Sequence, residues 1–178
     1  MRSRNTMTFG LNWGATTSER DATMPCDSLT SGARACADRA IDIKAPPKTV
    51  FSWLCQLRQA PYSYDILDNF GRRSPRQRDP DLCHLEVGQR FMTLFRLHSF
   101  VDEEHITLRA KAVAVTYAVR PHRGGTRLHV RVVLEGPRLL GRLTAAGDFV
   151  MMRKQLLTLK SLAEREARLL QLRGGQTQ

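Results

Sequence analysis

Apolar positions near the C-terminus set the frame for the whole chain. Phe149, Met152, Leu156, Leu159, Ala163, Ala167 and Leu170 recur at three- and four-residue steps, which puts them on one face of an α-helix. The helix is predicted from Asp148 to Leu172, with Asp148 as its N-cap and Gly174-Gly175 as its stop. At a rise of 1.5 Å per residue it is about 35 Å long, so its stripe needs a covering layer of similar extent.

Upstream segments with a period of two supply that layer. Ala40, Asp42 and Lys44 alternate with Arg39, Ile41 and Ile43 in a first strand. Within Ala112 to Arg120, Val113, Val115, Tyr117 and Val119 point one way; within Thr126 to Leu134, Leu128, Val130 and Val132 alternate with Arg127, His129 and Arg131. Shorter strand-like pieces fall at Gln89 to Arg96, His98 to Val101 and His105 to Ala110. Pro121-His122-Arg123-Gly124-Gly125 has the glycines of a tight hairpin, and Asp102-Glu103-Glu104 turns another.

Between the first strand and this meander the period changes. Ala45-Pro46-Pro47 ends the strand and opens a short helix in which Val50, Trp53, Leu54 and Leu57 share a face. A second short helix is predicted from Tyr62 to Phe70, stopped by Gly71, and Arg72 to Asp81, with Pro75 and Pro80, reads as an exposed loop. Arg138 to Gly147 is expected to be a loop or a short helical lead-in. Residues 1–36 are polar and aperiodic, so they read as a flexible tail, in which Met7 and Met24 are alternative starts. The expected organisation is this tail, one domain over 37–173, and a disordered C-terminus over 174–178.

Composition changes this picture little. The chain has 178 residues, enough for one full core, and a formal charge of +11 from 28 basic and 17 acidic residues. The arginines are spread along the sequence without interleaved aromatics, so a solvated basic exterior is expected and not a specific nucleic-acid site. Cys26, Cys36, Cys55 and Cys83 form no CxxC pair and have no histidines at zinc spacing, which predicts a reduced, cytoplasmic protein without metal. No apolar run is long enough for a membrane span or an export signal. No GxSxG, P-loop or GxGxxG pattern occurs, so no nucleotide cofactor is expected.

The order of strand, two short helices, antiparallel meander and long C-terminal helix resembles the START-like, or SRPBCC, superfamily, most closely bacterial proteins of the polyketide cyclase/dehydrase and lipid-transport-like kind. The residues carrying the resemblance are Ile41-Asp42-Ile43-Lys44-Ala45-Pro46-Pro47 with Val50, Trp53 and Leu54; Tyr62-Ser63-Tyr64-Asp65 with Leu67-Asp68-Asn69; Val87-Gly88; Thr126-Arg127-Leu128 with Arg131; and Gly147-Asp148-Phe149-Val150-Met151 with Ala163-Glu164. The lead-in to the first Tyr, Arg58-Gln59-Ala60-Pro61, is shorter than in similar members.

The resemblance implies an α+β helix-grip fold, in which a curved antiparallel sheet wraps a long C-terminal helix and encloses an apolar cavity for lipids, polyketides or related molecules. Trp53, Tyr62, Tyr64, Val113, Val115, Tyr117, Phe149, Met152 and Leu156 are then the expected lining. The implied partner is a hydrophobic small molecule bound by a monomer or homodimer. An alternative is a cyclase/dehydratase-type enzyme, with Tyr64, Asp65 and Arg58 positioning substrate and moving protons. The plainer reading of Tyr64 is a core aromatic, with Asp65 and Asp68 favouring a helix start. His98, His105 and His129 read as structural or surface residues.

Overall fold

The computed structural model describes residues 12–29, 34–62, 75–135 and 138–174, with the backbone alone over 138–151. Six strands form one antiparallel sheet: β1 (Arg34–Ile43), β2 (Arg90–Phe91), β3 (Phe95–Val101), β4 (His105–Ala110), β5 (Val113–His122) and β6 (Gly125–Glu135). Their spatial order is β1-β6-β5-β4-β3-β2, so the first strand returns beside the last and the meander fills the rest. A register shift between Leu97 and Ser99 marks a bulge in β3, a device that bends a strand and tightens its twist. The alternation read from β5 and β6 is realised with Val115, Tyr117, Val119, Leu128, Val130 and Val132 in one buried cluster.

Helix α2 (Pro47–Cys55) follows β1 and continues as a 3-10 turn over Gln56–Arg58. The second predicted short helix lies outside the described residues, apart from Tyr62. The long helix, α3, runs from Arg138 to Gly174 and so begins well before Asp148, which is an interior position and not its N-cap. Leu139, Leu140, Arg142, Leu143, Ala145 and Ala146 are strong helix formers, and their summed propensity carries the helix through Gly141 and Gly147. Met152, Leu156, Leu159, Leu162, Ala163 and Ala167 pack into the core, whereas Leu170 is exposed.

Residues 12–29 depart from the tail expected over 1–36. Helix α1 (Thr17–Asp21) is closed by a Thr16/Glu19 capping box, and a 3-10 turn over Pro25–Ser28 buries Cys26. Together they cover the outer face of the sheet, where Met24 and Cys26 pack with Ala114, Ala118 and Val133. Trp13 forms a parallel bridge to Arg39 on the outer edge of β1. The apolar contacts are few, and the attachment is mainly ionic.

Candidate functional site

The inner face of the sheet, between β5 and α3, holds the residues that the resemblance assigns to ligand. Trp53, Tyr62, Val115, Tyr117, Met152 and Leu156 all lie in one buried cluster, and Val113 is half-buried at its margin. Trp53 and Tyr62 meet edge to face, with ring centroids 6.1 Å apart and planes at 87°. The Trp53 indole N–H donates to Glu166 Oε2 at 2.8 Å, and Arg78 holds the same carboxylate with its Nη2 at 2.8 Å from Oε1. That contact fixes α2 against α3. Tyr64 and Asp65 lie outside the described residues, as does the side chain of Phe149.

A polar pair, Tyr117 and Gln155, stands in this largely apolar face, and it was not anticipated. The Tyr117 hydroxyl donates to Gln155 Oε1 at 2.9 Å, while Gln155 Nε2 donates to the Pro61 carbonyl at 2.6 Å and lies 3.3 Å from Met92 Sδ. Gln155 is only 4% exposed. A signal for it existed, because Gln155 stands three residues after Met152 and four before Leu159, on the buried stripe. Beside it, the buried Tyr62 has φ of 56°, a region that side-chain-bearing residues rarely adopt, and Met92 and Thr93, with φ of 42° and 63°, form the turn of the β2–β3 hairpin. Arg39 is a second omission. It is fully buried, and its register opposite Val130 puts it on the inner face, in step with Ile41 and Ile43.

Arg58 is engaged elsewhere. Its Nη1 donates to the carbonyls of Leu82 and His84, at 3.0 and 3.1 Å, and so anchors the 3-10 turn Pro80–Cys83.

The outer face carries the buried charges. Arg131, with a fully buried side chain, donates to Asp38 and Asp27, each at 2.8 Å, and to the main-chain carbonyls of Glu19, Arg20 and Ala22. His129 Nε2 lies 2.9 Å from the same Asp38 oxygen. Burial pushes the Asp38 carboxyl up, but the hydrogen bonds from His129 and Arg131 outweigh it and hold it below its usual value. Arg127 reaches Glu19 at 2.7 and 2.9 Å, and these bonds hold the Glu19 carboxyl at about 2. The contacts of Arg127 and Arg131 with Glu19, Asp27 and the main-chain carbonyls attach the N-terminal segment to β6, while Asp38 joins β1 to β6. Among the described residues, no group of His, Cys, Asp or Glu has the geometry of a metal site.

A groove of about 560 Å³ opens at the far end of the sheet, between the β5–β6 turn, the end of β1 and the last turns of α3. Its walls include Asp42, Lys44, His122, Arg123, Glu164 and Arg168.

Sheet, short helices and long C-terminal helix together define a helix-grip fold. Solved structures agree at the level of fold. A protein of Nitrosomonas europaea, NE0264, is similar over 74% of this chain and 95% of its own, with 12% identity and a TM-score of 0.50. The KanY protein is similar over 74% of this chain and 99% of its own, with 14% identity and a TM-score of 0.50. An AHSA1-like protein of Rhizobium etli covers 76% of this chain, with 86% of its own length, 15% identity and a TM-score of 0.48. No protein-family model matches the chain, and no curated protein matches it. No helix among the described residues is long and apolar enough to cross a membrane.

Proposed function

We propose that the protein binds a hydrophobic or aromatic small molecule, lipid-like or polyketide-like, in the space between the sheet and α3. The observation that carries this reading is the buried Tyr117–Gln155 pair on a largely apolar face. A site built to take such a molecule combines apolar walls with a few placed polar groups, and Gln155, whose N–H groups are held by the Pro61 carbonyl and Met92, keeps a second lone pair on Oε1 to accept from a ligand hydroxyl. The positive φ of the buried Tyr62 supports it: such a residue costs about 1–3 kcal/mol and persists where the surroundings impose it, which is common at ligand clamps. Met92 and Met152 add side chains that adapt to a guest.

The enzyme reading, a cyclase/dehydratase-type reaction through Tyr64, Asp65 and Arg58, draws less support, because Arg58 is engaged with two main-chain carbonyls. Binding is therefore the conclusion, and turnover is an outcome of the test. Protein purified from its own host and weighed by native mass spectrometry is expected to carry a stoichiometric organic adduct, identified after extraction. Gln155→Leu, which keeps the volume and removes the amide, should weaken rebinding of that molecule at least tenfold. A clean apo mass, with no thermal stabilisation by a panel of fatty acids and aromatic polyketides, would sink the proposal. Conversion of the extracted molecule that stops in Tyr64→Phe or Asp65→Asn would replace the carrier with the enzyme.

A further inference from the structure

The groove beside the β5–β6 turn has no part in the inner-face site, and its charges are arranged unevenly. Two carboxylates line it, and each has one oxygen engaged by a cation outside the lining, while Arg168 also acts on Glu164 through charge. Asp42 Oδ1 is 3.0 Å from Arg127 Nη1 and 4.0 Å from His122 Nε2. Glu164 Oε1 is 2.6 Å from Lys160 Nζ and accepts the Lys44 main-chain N–H at 2.8 Å. Arg127 and Lys160 lie outside the lining, so they neutralise the groove's acids from behind. The cations that face the groove are the side chains of Lys44, Arg123 and Arg168, and none of them makes a hydrogen bond or an ion pair among the described residues. Lys44 follows β1, Arg123 sits at the tip of the β5–β6 hairpin and Arg168 lies in α3.

We infer that this groove binds a small ligand carrying adjacent phosphate groups, held by Lys44, Arg123 and Arg168. Positive charge converging from three separate elements differs from the scattered arginines elsewhere on the surface, because the folded chain brings it to one concavity. Two guanidinium forks and an ammonium offer more donors than the two oxygens of one carboxylate can use; a diphosphate has enough oxygens to meet all three. A volume of about 560 Å³ also falls within the usual range of small-molecule sites. Close approach builds the wall itself. Gly125 lies so near Ile43 that a Cβ there would strike the Ile43 carbonyl oxygen, so the hairpin tip is seated against the end of β1.

Calorimetric titration of the full chain with inorganic pyrophosphate, at about physiological ionic strength where diffuse surface attraction is largely screened, is the test. One saturable site is expected. Arg123→Glu and Arg168→Glu, both at exposed positions that leave the core intact, should each weaken it at least tenfold. Arg109→Glu, at an exposed position on β4 beside the opposite end of β5, should change it less than twofold. Adenosine diphosphate binding tighter than pyrophosphate would support a nucleotide ligand, and equal binding would support recognition of the phosphates alone. Absence of saturation, or an equal loss from Arg109→Glu, would overturn the assignment. None of these residues belongs to the Tyr117–Gln155 site, so this result and the lipid-binding result are independent.

Discussion

Arg131 shows how a side chain that reads as surface charge becomes an interior fixture. Each of its hydrogen bonds goes to a carboxylate or to a main-chain carbonyl of the N-terminal segment or β1, so the guanidinium is buried fully paired. Removing one member of such a cluster leaves opposite charge buried without its partner. Arg131→Ala should therefore cost about 3–5 kcal/mol in urea unfolding, and a loss below about 1 kcal/mol would show that water replaces the arginine. The thiols are a second case. Burial pushes the Cys26 and Cys55 thiols up and holds Cys36 at about 12, while Cys83 is half-buried at the surface. Since the thiolate is the reactive form, titration of the native protein at pH 8 with an aromatic disulfide should label Cys83 first, with the other three reacting only on unfolding. Legibility at this scale followed side-chain polarity. Tyr117 and Leu156 could be placed inside from periodicity, but Gln155 and Arg39, on the same stripes, were passed over because polar residues on a buried face break the rule by which that face is recognised.

At the scale of elements, β4 was readable to the residue from its place between two turns, and β5 and β6 nearly so, because alternation over that many positions has few competing interpretations. The N-terminal segment was not. Its order comes from Glu19, Asp27 and main-chain carbonyls meeting Arg127 and Arg131 more than a hundred positions later, and no local pattern encodes a partner at that distance. Its attachment should depend on pH. Glu19 titrates at about 2 when folded against an ordinary 4.5, so the contribution of its pairing to stability is complete above about 4.5 and is lost as pH falls toward 2. Asp38, held low in the same way, adds to the same trend. Hydrogen exchange of residues 12–29 should rise over that acid range before that of β4, and Glu19→Gln should abolish the early step. Simultaneous opening of segment and sheet would show that the two are one cooperative unit.

For the molecule as a whole, the formal charge is +11, and among the described residues the fully buried basic side chains are Arg39 and Arg131. Such a charge attracts any polyanion weakly. Binding to a random DNA duplex is expected to be measurable at about 50 mM salt and lost by about 200 mM, and persistence of affinity would mean a dedicated interface. The sheet itself ends unequally. On one side β2 is only two residues long, too short to template another strand, whereas on the other β1 offers ten. Trp13 sits on that long edge, donating its N–H to Asp38 and accepting from Ala40, and its ring lies under Arg153 with the guanidinium 5.4 Å from the ring centroid. Gly14 makes the approach possible, with φ of 69° and a Cβ position that would collide with the Ala40 carbonyl oxygen. The bridge therefore acts as a guard against self-assembly: it occupies the middle of an edge along which two copies would otherwise zip together. A chain lacking residues 1–29 should scatter light and bind amyloid dyes at concentrations where the intact protein stays clear, which makes colloidal behaviour a property of its least sheet-like segment.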